Sequence, residues 1–211
     1  MEGDVGFIPG TQIWGYRFRH LDGTLGGWVA DTASVSPFVK IGPDAMVLGR
    51  AHVSGGAVLA DEVIIAGNAK VTGSVKISGR ALIYGYARVR ARARIHGDVE
   101  IFDHARILGD AQVFDGAQIG GHAHVFGDAQ VFGDARVRGR ARIGGDAQVF
   151  GGVAVDDRAV VGGSAVVFGS MRIAGNVHVL GRKSIINARW AQEQVELKPF
   201  GAGPLATAAG F

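Results

Sequence analysis

The sequence predicts an all-β chain whose single backbone strand winds into a parallel β-helix of about nine triangular coils. Three observations predict it. The hexapeptide Gly-Asp-Ala-Gln-Val-Phe occurs three times, starting at Gly109, Gly127 and Gly145, so the starts are three hexapeptides apart. Looser copies fill the gaps, at Asp115–Gly120, Gly121–Phe126, Gly133–Arg138 and Gly139–Gly144. The same frame also runs from Leu25 to Ile186 without insertion or deletion, as 27 hexapeptides, with an aliphatic residue at the fifth position of every one. Repetition held in one phase for so long is the signature of a solenoid.

Each position of the hexapeptide has a physical part. Positions 3 and 5 are two apart, so on a strand they point to the same side. Ala at the third position and Val or Ile at the fifth fill a narrow interior. Gly or Asp at the first supplies a corner where φ is able to turn positive. Three strands and three corners, or three hexapeptides, make one coil. At about 4.8 Å per coil the rod is on the order of 43 Å long.

In chain order, residues 1–24 precede the frame. Trp14, Tyr16 and Phe18 alternate with Gly15, Arg17 and Arg19, the pattern of a half-buried strand, and Asp22-Gly23 signals a hairpin leading into the first coil at Leu25. We expect this hairpin to cover the open end of the solenoid. Residues 25–186 are the rod. Lys183, at a third position otherwise small and apolar, marks a failing last coil. In residues 187–211, Trp190, Val195 and Leu197 are candidates to plug the far end, before Pro199, Gly201, Gly203 and Pro204 break regular structure.

Composition narrows the function. There is no cysteine, which excludes disulfides, thiolate metal sites and a cysteine nucleophile. No secretory leader is visible and no apolar run approaches the roughly 18 residues of a membrane span. The expected setting is therefore the cytoplasm, or a virion if the gene is a phage gene. A net charge of +3 does not by itself identify a nucleic-acid binder. The abundance of glycine suits a chain that turns once per hexapeptide.

The aliphatic-x-Gly-Asp-Ala-x pattern resembles the hexapeptide repeat of the left-handed parallel β-helix superfamily, which includes trimeric acyltransferases and γ-carbonic anhydrases. More narrowly, Leu25-Gly-Gly-Trp-Val29 followed by Val-Phe-Gly-Asp-Ala units looks like the YdcK-like branch, often bacterial or prophage-encoded. The resemblance implies a left-handed coil, which periodicity alone does not determine, and makes a homotrimer an expectation.

Residues three hexapeptides apart stack, so the exterior reads as three ladders. The first face carries an apolar stripe, Trp28, Met46, Ile64 and Leu82, before turning polar at Glu100, Gln118 and Arg136. Either the N-terminal segment folds over this stripe or it is a subunit interface. The second face is basic, with Arg88, Arg106, Arg140 and Arg142 among its cations, and could attract an acidic polymer. The plainer reading is a solvated strand face. The third face stacks Gln112, Gln130 and Gln148 beside Phe114, Phe132, Phe150 and Phe168, with Ile186 next in line. Such ladders stabilise in-register parallel strands and could also bind a partner.

Catalytic chemistry is weakly marked. The resemblance implies a catalytic histidine near a loop that leaves the solenoid, and no insertion in the frame provides one. His104, His122 and His124 are near enough in the ladder to be considered for Zn²⁺, but surface histidines are commoner than a ligand triad. The sequence reading therefore assigns no catalytic residue, no metal and no cofactor. It favours a non-catalytic structural or binding solenoid, as part of a phage or another assembly, that shows its basic face and Phe/Gln ladder to a protein partner. One alternative is an acyltransferase-like or metal-dependent enzyme working at a trimer interface. The other is a filament-forming β-helix, which the end aromatics Trp14 and Trp190 oppose.

Overall fold

The computed structural model describes residues 5–181 together with the strand Ile185–Ile186. The expected plug around Trp190, the apolar tail and Lys183 lie outside the described residues.

Three corners per coil fold the chain into three parallel sheets. The first runs through Leu25–Ala30, Met46–Val47, Ile64–Ile65 and Leu82–Ile83, and continues with one strand from each coil to Arg172–Ile173. The second includes His52–Ser54, Arg88–Ala91, Arg106–Ile107, His124–Val125 and Arg142–Ile143. The third includes Arg94–Gly97, Gln112–Asp115, Gln130–Val131 and Gln148–Val149. Register partners are three hexapeptides apart, as in Gln112↔Gln130↔Gln148 and Arg106↔His124↔Arg142. The chain is a left-handed parallel β-solenoid of about nine turns, with no helix among the described residues.

The interior is built as the hexapeptide dictates. Ala111, Val113, Ala117 and Ile119 are fully buried, as are their equivalents in the neighbouring coils, and no polar side chain is buried among the described residues. Stacked Ala and Val or Ile leave no room for a charge, so every functional group must project from the outside.

All 22 corner positions from Gly49 to Gly175 have positive φ. Seventeen are glycine, and Asp61, Ala91, Asp103, Asp115 and Asp157 are the others. Each of the four aspartates accepts a hydrogen bond from the corner glycine one coil on, for example Gly133 N–H to Asp115 Oδ2 at 3.1 Å and Gly121 N–H to Asp103 Oδ2 at 3.0 Å. Short polar side chains tolerate the left-handed region for this kind of reason.

The frame breaks once. Val166 pairs with Ile185 and Val167 with Ile186, one position beyond the three-hexapeptide spacing of every earlier parallel pair in that sheet. The register therefore shifts by one residue between the Gly163–Gly181 and Val166–Ile185 pairs. The expectation of an unbroken frame to Ile186 is corrected, and so is Ile186 as the next rung after Phe168, because its register partner is Val167.

At the other end, strands β1 (Val5–Phe7), β2 (Trp14–Arg19) and β3 (Leu25–Ala30) are antiparallel neighbours that prolong the first sheet beyond the first coil. They add to the sheet edge-on, so they do not lie across Met46, Ile64 and Leu82. Phe18 joins the solenoid core, and Arg17 sits over the Trp28 ring at 5.7 Å. In the hairpin turn, Ile41 N–H donates to His20 Nε2 at 3.0 Å. The proton of this imidazole is therefore on Nδ1, which donates to Thr24 Oγ1, and Thr24 in turn donates to Asp22 Oδ1. The side chain supplies the acceptor that a preceding coil would otherwise give.

Candidate active site on the second sheet

The outward positions of the second sheet form a ladder of cations interrupted by one imidazole. His124 is flanked in register by Arg106 and Arg142, with His122 two residues before it on the same side. His122, His124, Arg140 and Arg142 line a hollow of about 440 Å³. Arg140 and His122 reach it from beside the corner, and Arg142 and His124 from the strand.

Local packing sets these side chains. The Phe126 ring lies over Gly144 so closely that even a Cβ there would run into it. Arg142 is placed over the same ring, 5.4 Å from its centroid. His122 stacks on His104 at 4.7 Å with an 18° tilt, and His104 stacks on Tyr86 at 5.1 Å. His124 is only partly exposed. Burial, followed by the charges of Arg106, Arg142 and His122, lowers its pKa below the usual histidine range. Both effects disfavour the imidazolium, so His124 is a neutral base at pH 7. The chemistry available is proton abstraction beside two guanidinium groups able to hold an anion.

The histidine triad considered for zinc does not form. Parallel stacked rings direct their in-plane lone pairs side by side rather than at one point. No cluster of three metal-ligating side chains occurs among the described residues.

The remaining predicted positions fall on the expected faces. Arg88 and Arg106 adjoin each other on the second sheet. Gln112, Gln130 and Gln148 are in register on the third. Phe114, Phe132, Phe150 and Phe168 stack face to face, with centroids 4.6, 4.6 and 5.4 Å apart. Trp28, Met46, Ile64 and Leu82 are half-buried neighbours on the first sheet. Sequence reasoning missed three features: His96 heading the Phe stack at 4.9 Å, the pairing of Phe126 with Gly144, and the partial burial of His124 with its lowered pKa. The first two were available from the spacing, since the members of each pair are three hexapeptides apart. The third needed the folded chain.

Fold and surface together define a hexapeptide-repeat β-helix with a basic, histidine-bearing hollow. No family model and no curated protein matches the chain. Solved structures do. UDP-N-acetylglucosamine O-acyltransferase from Moraxella catarrhalis is 20% identical with a TM-score of 0.44, over 72% of this chain and 68% of that one. UDP-N-acetylglucosamine acyltransferase from Francisella novicida is 15% identical with a TM-score of 0.42, over 74% and 64%. A further UDP-N-acetylglucosamine acyltransferase is 14% identical with a TM-score of 0.41, over 73% and 71%.

Against the expectation of a non-catalytic structural or binding solenoid, the three solved structures named are all acyltransferases. The surface has a physical reason to differ from that expectation too. The Phe faces are stacked on one another, and the basic face is hollowed around a partly buried base. The comparisons lend no support to the YdcK-like branch, a phage origin or a virion setting. No helix among the described residues is long and apolar enough to cross a membrane.

Proposed function

We propose that the chain is an acyltransferase-like enzyme in which His124 is the general base. The observation that carries this reading is a neutral, partly buried imidazole set in register between Arg106 and Arg142, in a hollow shared with Arg140. The repeat's resemblance to hexapeptide acyltransferases, which use a catalytic histidine, supports it. His124 takes the proton of an acceptor hydroxyl or amine as that atom attacks the acyl carbonyl of an activated donor. Arg140 and Arg142 hold the donor's anionic part or the developing oxyanion, and the leaving group departs with the returned proton.

The hollow is shallow and no loop departs from the described part of the solenoid to close it. We therefore infer that a second subunit completes it. The apolar stripe Trp28, Met46, Ile64 and Leu82 is the interface this requires, in a trimer of the kind the repeat resemblance implies. Tyr84 and Phe102 stack along the edge of that stripe at 5.6 Å. They lead to the corner that carries His104 and His122, so a subunit seated on the first face would border the hollow. An acidic polymer on the wider basic face is a second proposed partner, supported by Arg88 and Arg106 lying in register beside each other.

The test is acyl transfer from a panel of thioester donors to amine and hydroxyl acceptors. His124→Gln should lower kcat by about 10²–10⁴-fold, the usual contribution of a general base, with the fold intact by circular dichroism. An unchanged kcat would remove His124 from this role.

A further inference from the structure

The large exposed apolar side chains are not spread along the rod. Nine occur among the described residues, and seven of them precede residue 39; Tyr86 and Leu180 are the other two. Val5, Phe7 and Trp14 are 58%, 65% and 49% exposed on the N-terminal strands, with Phe7 and Trp14 in edge-to-face contact at 5.2 Å. Leu21, Leu25 and Phe38 line a groove of about 640 Å³ between the hairpin turn and the first two coils. Phe18 and Tyr16 already cover the core, so this second layer of apolar surface is not needed to close the solenoid.

We propose that the N-terminal end is an association surface for a second copy of this chain, joined head to head about a twofold axis. Area supports this occupant. Taking about 150–250 Å² for a large side chain, the seven together present roughly 700 Å². A monomer usually keeps any one contiguous apolar patch to a few hundred Å², and here the exposed apolar side chains gather at one end of the rod. Two such ends bury roughly 1,400 Å², within the range of about 1,200–2,000 Å² for a standard specific interface.

The backbone supports it as well. β1 is the terminal strand of its sheet, with β2 on one side and no described strand on the other. A short apolar edge strand is a pairing template, and an antiparallel copy of itself is self-complementary about a twofold axis. Gly6, at the centre of β1, has nothing within 4 Å of where a Cβ would lie, which leaves room for close approach. The groove also carries one cation, Lys40, and one carboxylate, Asp22, a pair that a twofold copy can match. A head-to-tail contact lacks such a match among the described residues, because Leu180 is the one large exposed apolar side chain near the far end.

Sedimentation equilibrium of the full chain tests the proposal, alongside Phe7→Glu on β1 and Phe38→Glu on the first coil. These are exposed sites on separate elements, and circular dichroism confirms that each variant is folded. Both variants should have half the mass of the wild type, whatever lateral assembly the rod also forms. The wild-type mass should be independent of concentration well above the dissociation constant. An unchanged mass in the folded variants overturns the proposal. A wild-type mass that grows without limit would mean head-to-tail stacking, which overturns it equally.

Discussion

Ala91 is the one corner residue between Gly49 and Gly175 that is neither glycine nor aspartate, and it has φ of 66°. An L residue in this region costs roughly 1–2 kcal/mol. The aspartate corners offset that cost through the bond to the next coil's glycine, and alanine has no such group. Ala91→Gly should therefore raise stability by about 1 kcal/mol, since the loss of left-handed strain outweighs the backbone entropy that glycine adds. Asp115→Ala should do the reverse, because it keeps the strained backbone and loses the bond to Gly133. Denaturant midpoints of the two variants check both signs. The corner was legible in the sequence as a place for glycine or aspartate. What aspartate does there was not, since its partner is three hexapeptides away and becomes a neighbour only when the coil closes. The same holds for Gly144, which looks like one more degenerate glycine until the Phe126 ring is found above it.

Strands as short as His124–Val125 cannot position a side chain by their own length. They do so through the strands above and below. Arg106 and Arg142 are fixed one rung on either side of His124, so the cations that lower its pKa are part of the ladder itself. The sign of the pH dependence follows. Because the folded pKa lies below the ordinary value near 6.5, the base stays neutral as pH falls through 6.5 and protonates only below it. The acid limb of the pH–rate profile should accordingly lie under 6.5. Between the unfolded and folded pKa values the unfolded chain binds the extra proton, so the stability contribution is full above about 6.5 and is lost as pH falls through the folded pKa. Arg142→Gln should move the acid limb up toward the ordinary histidine value, as one of the two flanking charges is gone. A limb that stays in place would assign the shift to burial alone. The ladder positions of this site were legible from the three-hexapeptide period. The partial burial that makes His124 differ from the exposed His122 was not, since both lie on the same outward side and the period does not separate them.

For the molecule as a whole, the three faces have different demands. Val and Ile fill the inside uniformly, so differences between coils can appear only on the surface. On the first sheet that difference is a change from Trp28, Met46, Ile64 and Leu82 to Glu100, Gln118 and Arg136, all in register. The apolar half is not roofed by the N-terminal strands, which prolong the sheet instead. The sequence could not choose between a covered stripe and an interface because both need the same apolar residues. Strands β1 and β2 prolong the sheet before the first coil, which leaves the stripe clear of them and the interface reading as a proposal. If three rods pack through this half, Ile64→Glu with Leu82→Glu places two carboxylates per chain in the shared interface. The solution mass should then fall to one third while the fold is retained, because both residues are outward and the buried Ile65 and Ile83 beside them are untouched. Acyl transfer should fall with the mass if, as proposed, a neighbouring subunit completes the hollow around His124. Light scattering on a size-exclusion column, with the activity of each peak measured, decides this. A mass that stays constant removes the stripe as the interface. A mass that falls while activity holds would mean that one rod carries the whole site.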